Sequence, residues 1–212
     1  MIKTIKSNYL WIIFFICVLL FLALAEDVFT HEIMKGDIIG YNLVSKYLIK
    51  TNITPIVKYI TWFGSATCLI IISLLSFILK NKKISMCILS NLVIITILNQ
   101  LFKFIFERPR PTEYRIITET GYSFPSGHSM VSMAFYGFII YLIYKKVNNK
   151  YIKWLVISIL SLLIVSIGIS RIYLGVHYTS DVLAGFLISI SYLIIYIKYT
   201  KKIIDKDSNY EK

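Results

Sequence analysis

His177 and Asp181 stand four residues apart in the segment SRIYLGVHYTSD. On a helix that spacing puts both on one face. An aspartate so placed accepts the proton of one imidazole nitrogen and leaves the other bare, the nucleophile–orienter half of a catalytic site. A second imidazole, His128, follows Pro125, Ser126 and Gly127 in GYSFPSGHSMVSMAF, at the opening of an apolar run. The backbone N–H groups of Ser126 and Gly127 at such a helix start make a ready anion site. Gly127 allows close approach of the backbone, and Pro125 stiffens the way into the helix. Lys103, Arg110 and Arg171 add three positive charges, and guanidinium groups grip phosphate through paired donors. Together these types match what a pentacovalent phosphoryl transition state needs: a nucleophile, and cations over the equatorial oxygens. No acidic cluster suits Mg²⁺ or Mn²⁺, so the expected reaction uses neither metal nor cofactor. Singly, each residue has an ordinary reading, since interfacial Arg and Lys snorkel or pair with lipid headgroups and a histidine can cap a helix. The joint pattern carries the argument.

The elements that hold these groups are apolar. Of 212 residues 57% are hydrophobic, and the mean hydropathy of +0.72 exceeds what a soluble domain's surface allows. With only 9 Gly and 4 Pro the chain is neither fibrous nor disordered, and a single domain over 1–212 is expected. Apolar stretches run over 9–25, 59–79, 84–102, 130–144, 154–170 and 182–197. Most approach the ~20 residues that cross ~30 Å of hydrocarbon as helix. The fourth and sixth are short and borrow a turn from their polar flanks. Open sheet edges are not tolerated in lipid. The expected fold is therefore all-α, a six-helix transmembrane bundle. Asn91 and Asn99 within the third span have no assigned role.

Lys and Arg orient the bundle. With both termini in the cytoplasm, the inner segments hold 14 bases and 3 acids, and the outer segments 9 bases and 8 acids. This is a positive-inside pattern. Most of the net charge of +12 thus reads as topology and contact with anionic phospholipids rather than nucleic-acid binding. The same topology brings every candidate catalytic residue to the outer face of the cytoplasmic membrane, with 103–129 as an outer catalytic loop. The outer segment 26–58 carries Ile38, Ile39, Leu43, Tyr47 and Leu48 at roughly helical spacing, which predicts an interfacial helix that walls a lipid entrance or packs on the bundle. The start, with Lys3 and Lys6 before an apolar run and ALAED, has a signal-peptide reading, but the run is longer than a signal core and is taken as a retained first span. Cleavage would leave five spans and turn none of the others over. Cys17, Cys68 and Cys87 sit in apolar runs, poor material for disulfides. Trp11, Trp62, Trp154, Tyr173 and Tyr178 read as interfacial belt or packing residues. His31 has no role.

These motifs resemble the type 2 phosphatidic acid phosphatases, the integral-membrane branch of the acid phosphatase and vanadium haloperoxidase superfamily. Lys103 through Arg110-Pro111 matches Lys, six residues, Arg-Pro; Pro125-Ser126-Gly127-His128 matches the second motif without change. Ser170-Arg171, His177 and Asp181 match Ser-Arg, five residues, His, three residues, Asp. Counting the six spans, the resemblance covers essentially the whole chain. It implies that His177 attacks phosphorus and becomes a phosphohistidine, Asp181 orients it and His128 protonates the leaving oxygen. Lys103, Arg110, Ser126, Gly127 and Arg171 would hold the phosphoryl oxygens. One departure is the extra pair Arg108-Pro109, which offers a competing arginine to Arg110. The implied substrate is a membrane lipid phosphate or diphosphate in a bacterial membrane. Undecaprenyl diphosphate is expected first, partly because Arg108 and Arg115 could favour a diphosphate; phosphatidylglycerol phosphate and phosphatidic acid are the alternatives. A soluble-ester phosphatase is the enzymatic rival. A non-catalytic lipid-phosphate transporter is the other, though no inverted repeat is evident.

Overall fold

Side-chain oxygens at four sites turn the chain into helices. In the computed structural model, which describes residues 2–30, 34–78, 81–113 and 115–207, the order is α1 (Ile2–Phe29), α2 (Lys35–Leu48), α3 (Thr54–Trp62), α4 (Ala66–Leu75) with a 3₁₀ turn at Ser76–Ile78, α5 (Lys82–Phe106), α6 (Gly127–Lys146), α7 (Lys150–Tyr173) and α8 (Thr179–Asp207). Ser65, Asn81, Ser126 and Asn149 each accept a first-turn backbone N–H, starting α4, α5, α6 and α7. Pro55 sits in the first turn of α3, where its missing N–H costs nothing. His31, Lys80 and Lys212 lie outside the described residues.

The chain is an all-α polytopic membrane bundle. Five helices are long and apolar enough to span a membrane: α5, α6, α7, α1 from Asn8 and α8 to Asp205; α3 and α4 make a sixth span if the bent pair counts as one. The apolar stretch 59–79 is divided between α3 and α4. The two helices meet at 47°, because α3 ends at Trp62 with Phe63 as its C-cap and Ser65 caps a new helix. The short fourth and sixth runs do borrow polar flanks, α6 starting at Gly127 and α8 at Thr179.

Helix α6 is central and packs on α5, α7 and α8; α1 lies on α8, and α2 spans α7 and α8. Phe135, Phe138, Ile164, Ile167 and Leu193 form much of its core. Outward-facing Leu19, Ile97 and Leu162 are 65%, 62% and 69% exposed, as a lipid-facing surface requires. Asn91 and Asn99 now have a role: they donate from α5 to the carbonyls of Ala134 and Pro125 at 3.3 and 3.2 Å, joining α5 to α6 and its approach. Cys17, Cys68 and Cys87 are buried among the helices. Tyr173 is a packing residue, buried with its hydroxyl held by Thr54 Oγ1 at 2.8 Å and donating to the Lys50 carbonyl at 3.0 Å.

Gly185 sets the closest approach that matters for the site. A Cβ there would stand 3.1 Å from both the Ser126 carbonyl oxygen and the Met130 nitrogen, so any side chain would need the backbone of α6's first turn to give by a few tenths of an ångström. The antiparallel order α5–α6–α7–α8 then collects the C-terminal ends of α5 and α7 with the N-terminal ends of α6 and α8 at one end of the bundle.

Candidate active site

At that end a cavity of ≈ 290 Å³ is lined by Lys103 of α5, Gly127 and His128 of α6, Arg171 of α7, His177, and Arg110 with Glu119 from the loop between α5 and α6. Six of the eight residues singled out from sequence thus share one chamber. The other two stand behind it. Asp181 is fully buried beneath His177, and Ser126 is fully buried as the cap of α6. The expectation that the Ser126 N–H is free for an anion is corrected: it donates to the Asp181 carbonyl at 3.0 Å, tying α6 to α8. Its hydroxyl accepts from the Ser129 N–H at 3.5 Å and the Ser129 hydroxyl at 3.0 Å. The N–H groups of Gly127 and His128, which helix geometry leaves without an intrahelical acceptor, are the ones at the mouth. A Cβ on Gly127 would fall 3.0 Å from Asn99 Oδ1 and 3.9 Å from Lys103 Nζ, which shows how closely the backbone approaches the α5 cation.

The imidazole of His177 is fixed from both sides. Asp181 Oδ2 stands 3.3 Å from Nδ1, and a carboxylate can only accept, so Nδ1 carries the proton. Nε2 then presents a lone pair and accepts from Arg110 Nη1 at 3.1 Å. Burial pushes the imidazole pKa down to about 4; Asp181 opposes this, while Arg171 and Arg110 add to it. His177 is therefore neutral at pH 7, as a nucleophile must be.

The cations are held with equal care. Arg110 donates to the carbonyls of Gly121, Val176 and Thr120 at 2.9, 3.0 and 3.1 Å, so loop backbone locks its plane. Arg171, 1% exposed, donates to Thr61 Oγ1 at 2.9 Å and to Glu119 Oε1 at 2.6 Å. Its Nε has no acceptor among the described residues, a buried donor on the wall of an anion-sized chamber. Glu119 was not found from sequence. Burial alone would raise its pKa, but the hydrogen bond and charge of Arg171, with Arg110, hold its carboxyl below the usual range.

Arg108 does not compete with Arg110. It lies outside the chamber, with Nη1 on Asp181 Oδ1 at 2.6 Å and Nη2 on Asp37 Oδ2 at 2.8 Å. Arg115 also misses the chamber and donates to the carbonyls of Pro111 and Arg110. The two extra arginines that had favoured a diphosphate are thus spent elsewhere. Asp37, another residue missed from sequence, is buried at the start of α2. Among the described residues no group of three or more His, Cys, Asp or Glu could hold a metal ion.

The chain as a whole is similar to known membrane phosphatases. A family model described as the PAP2 superfamily matches residues 84–205. Phosphatidylglycerophosphatase B of Bacillus subtilis is 30% identical over 87% of this chain and 93% of its own length. Undecaprenyl-diphosphatase of Sulfolobus acidocaldarius is 28% identical over 92% of this chain and 94% of its own length. The crystal structure of a transmembrane PAP2-type phosphatidylglycerolphosphate phosphatase from Bacillus subtilis superposes with a TM-score of 0.75 at 28% identity, covering 88% of this chain and 95% of that one.

Proposed function

The chain belongs to the PAP2 superfamily and is a hydrolase of membrane lipid phosphates, and from that premise we propose that it cleaves phosphatidylglycerol phosphate through a phosphohistidine at His177, without a metal, at the outer face of the cytoplasmic membrane. The observation that carries the mechanism is the lone pair of His177 Nε2, oriented through Asp181 and opening on the chamber that holds His128, Lys103, Arg110 and Arg171. Nε2 forms a bond to phosphorus as the bond to the leaving oxygen breaks, and that oxygen takes a proton from His128, which enters the step as the imidazolium with the negative charge of the bound phosphate as its counter-ion. His128, now neutral, removes a proton from water; the water oxygen bonds to phosphorus, the N–P bond breaks, and inorganic phosphate leaves with His177 restored. Lys103, Arg110 and Arg171 with the N–H groups at the α6 mouth stabilise the equatorial oxygens.

Two observations favour this substrate over undecaprenyl diphosphate, the first expectation from sequence. The more identical of the two relatives above is a phosphatidylglycerophosphatase, and the crystal structure that superposes at a TM-score of 0.75 is of a phosphatidylglycerolphosphate phosphatase. The arginines that would have served a second phosphate do not reach the chamber, and a carboxylate, Glu119, does.

Phosphate release in detergent should be measured on phosphatidylglycerol phosphate, phosphatidic acid, undecaprenyl diphosphate and a water-soluble monoester, with EDTA in excess. Phosphatidylglycerol phosphate should give the highest kcat/KM, EDTA should have no effect, and His177→Ala should release nothing. Faster turnover of undecaprenyl diphosphate would transfer the substrate assignment to it. Normal turnover by His177→Ala would end the nucleophile assignment, and loss in EDTA that only Mg²⁺ restores would end metal independence.

A further inference from the structure

Behind the nucleophile runs a chain of buried charges that the phosphate-holding groups do not include. His177 Nδ1 donates to Asp181 Oδ2; Asp181 Oδ1 accepts from Arg108 Nη1 at 2.6 Å; Arg108 Nη2 donates to Asp37 Oδ2 at 2.8 Å. Asp37 also accepts the Ser180 N–H at 2.8 Å and the Ser180 hydroxyl at 2.9 Å, and Arg108 Nη1 reaches the same hydroxyl at 2.7 Å. The ring of Tyr178 covers the Arg108 guanidinium at 4.1 Å. Asp37, Arg108 and Asp181 are 3%, 6% and 0% exposed, so bulk water does not screen them.

We propose that Asp37 and Arg108 are positioning residues of phosphoryl transfer, which act on His177 through Asp181. This rests on the reading of His177 as nucleophile. The geometric part is plain. Arg108 fixes one oxygen of Asp181, and the Tyr178 N–H, at 2.9 Å, shares the other with His177, so the carboxylate cannot rotate away from the imidazole. The electrostatic part is a matter of charge count. When Nε2 bonds to phosphorus, the ring keeps the Nδ1 proton and becomes cationic. Asp181 must stabilise that charge, yet Arg108 alone would neutralise Asp181. Asp37 returns the balance: the chain Asp37–Arg108–Asp181–His177 carries a net charge of −1 before attack and zero with the ring cationic. It also anchors Arg108 to the first turn of α8 through Ser180, where an acid suits the helix N-terminus.

Arg108 and Asp37 should therefore move the acid limb of kcat/KM in opposite directions. Neutral His177 is the active form, so activity is present above its pKa and is lost as pH falls through about 4. The groups facing it are Asp181 from α8, Arg171 from α7, His128 from α6, Lys103 from α5, Arg110 and Glu119 from the loop, and Asp37 from α2 on the far side. Of these only Asp37 changes in the variants below, together with Arg108 of the α5–α6 loop, whose charge reaches His177 through Asp181.

The full chain in detergent, with phosphatidylglycerol phosphate, tests the proposal. Asp37→Asn and Arg108→Gln should each lower kcat by about 10- to 100-fold, the usual effect of removing a partner behind an active-site ligand, with KM little changed. The acid limb should fall by about one unit in Asp37→Asn and rise by about one in Arg108→Gln, with the double variant between them. Limbs that stay in place or move the same way overturn it, as does a loss carried by KM alone. Should either variant fail to fold, Ser180→Ala keeps every charge and removes one anchor; it should lower kcat about fivefold with the limb unmoved, and an unchanged kcat overturns the proposal. Unshifted limbs in an enzyme that His177→Ala silences count against Asp37 and Arg108 alone. Turnover by His177→Ala would instead bring down the nucleophile assignment and this relay with it.

Discussion

Glu119 places a negative charge in a chamber otherwise built for an anion. Its carboxylate takes Arg171 Nη2 at 2.6 Å, and Arg110, Lys103 and His177 share the same walls. Side-chain exposure of 31% leaves it on the solvent side of the pair, while the guanidinium is buried. A phosphoryl group that takes Arg171 must displace this carboxylate or share the guanidinium with it, and like charges at that distance repel. Glu119→Gln should therefore tighten inhibition by inorganic phosphate about three- to tenfold, read as a lower inhibition constant in the release assay. Weaker inhibition would make Glu119 a support for Arg171 rather than its competitor. Arg110 poses a related point, because its Nη1 covers the lone pair of His177. The attacking nitrogen has to exchange this hydrogen bond for phosphorus, while three carbonyls keep the guanidinium beside the reacting atoms.

At the scale of elements, the site depends on where two helix mouths meet. The Ser126 N–H on the Asp181 carbonyl is a direct tie between α6 and α8, and Gly185 one turn further along α8 makes it reachable. Gly185→Val should push α8 off α6, cost about 2 kcal/mol of stability and reduce kcat, measured by thermal unfolding in detergent and phosphate release. Gly36→Val, at a position where an added Cβ meets nothing within 4 Å, is the control and should change neither. Helix α2 shows two faces. Asp37 is buried against α8, whereas Ile38, Ile39, Leu43 and Tyr47 are 52%, 59%, 54% and 62% exposed. The periodicity in 26–58 foretold the helix and its apolar face, but the single acid that enters the core carries no periodic signal.

For the whole molecule, the proposal that the charge asymmetry puts the chamber at the outer face is open to a direct test. Cysteine introduced at Glu113, on the exposed loop beside the chamber, should react with an impermeant maleimide in intact cells. Cysteine at Lys150, exposed at the other end, should react only after lysis. The three native cysteines are buried. The reverse pattern would put the chamber on the cytoplasmic side. The sequence by itself located the apolar runs that form the five long helices, though not the break between α3 and α4, because hydrophobic length is a summed property that survives without coordinates. It also paired His177 with Asp181 by their separation of four, but α8 begins only at Thr179, so His177 meets the carboxylate from the loop before the helix and not from a shared helix face. It left open which arginine faces the phosphate. Arg108 and Arg110 differ by only two positions on an irregular loop, where spacing does not set direction. Only the tertiary structure decided that Arg110 enters the chamber while Arg108 turns to Asp181. It alone brought in Asp37, Thr61 and Glu119, which stand 71, 110 and 52 residues from their arginine partners. Contacts between charges so far apart in the chain are created by packing, and a one-dimensional pattern holds no record of them.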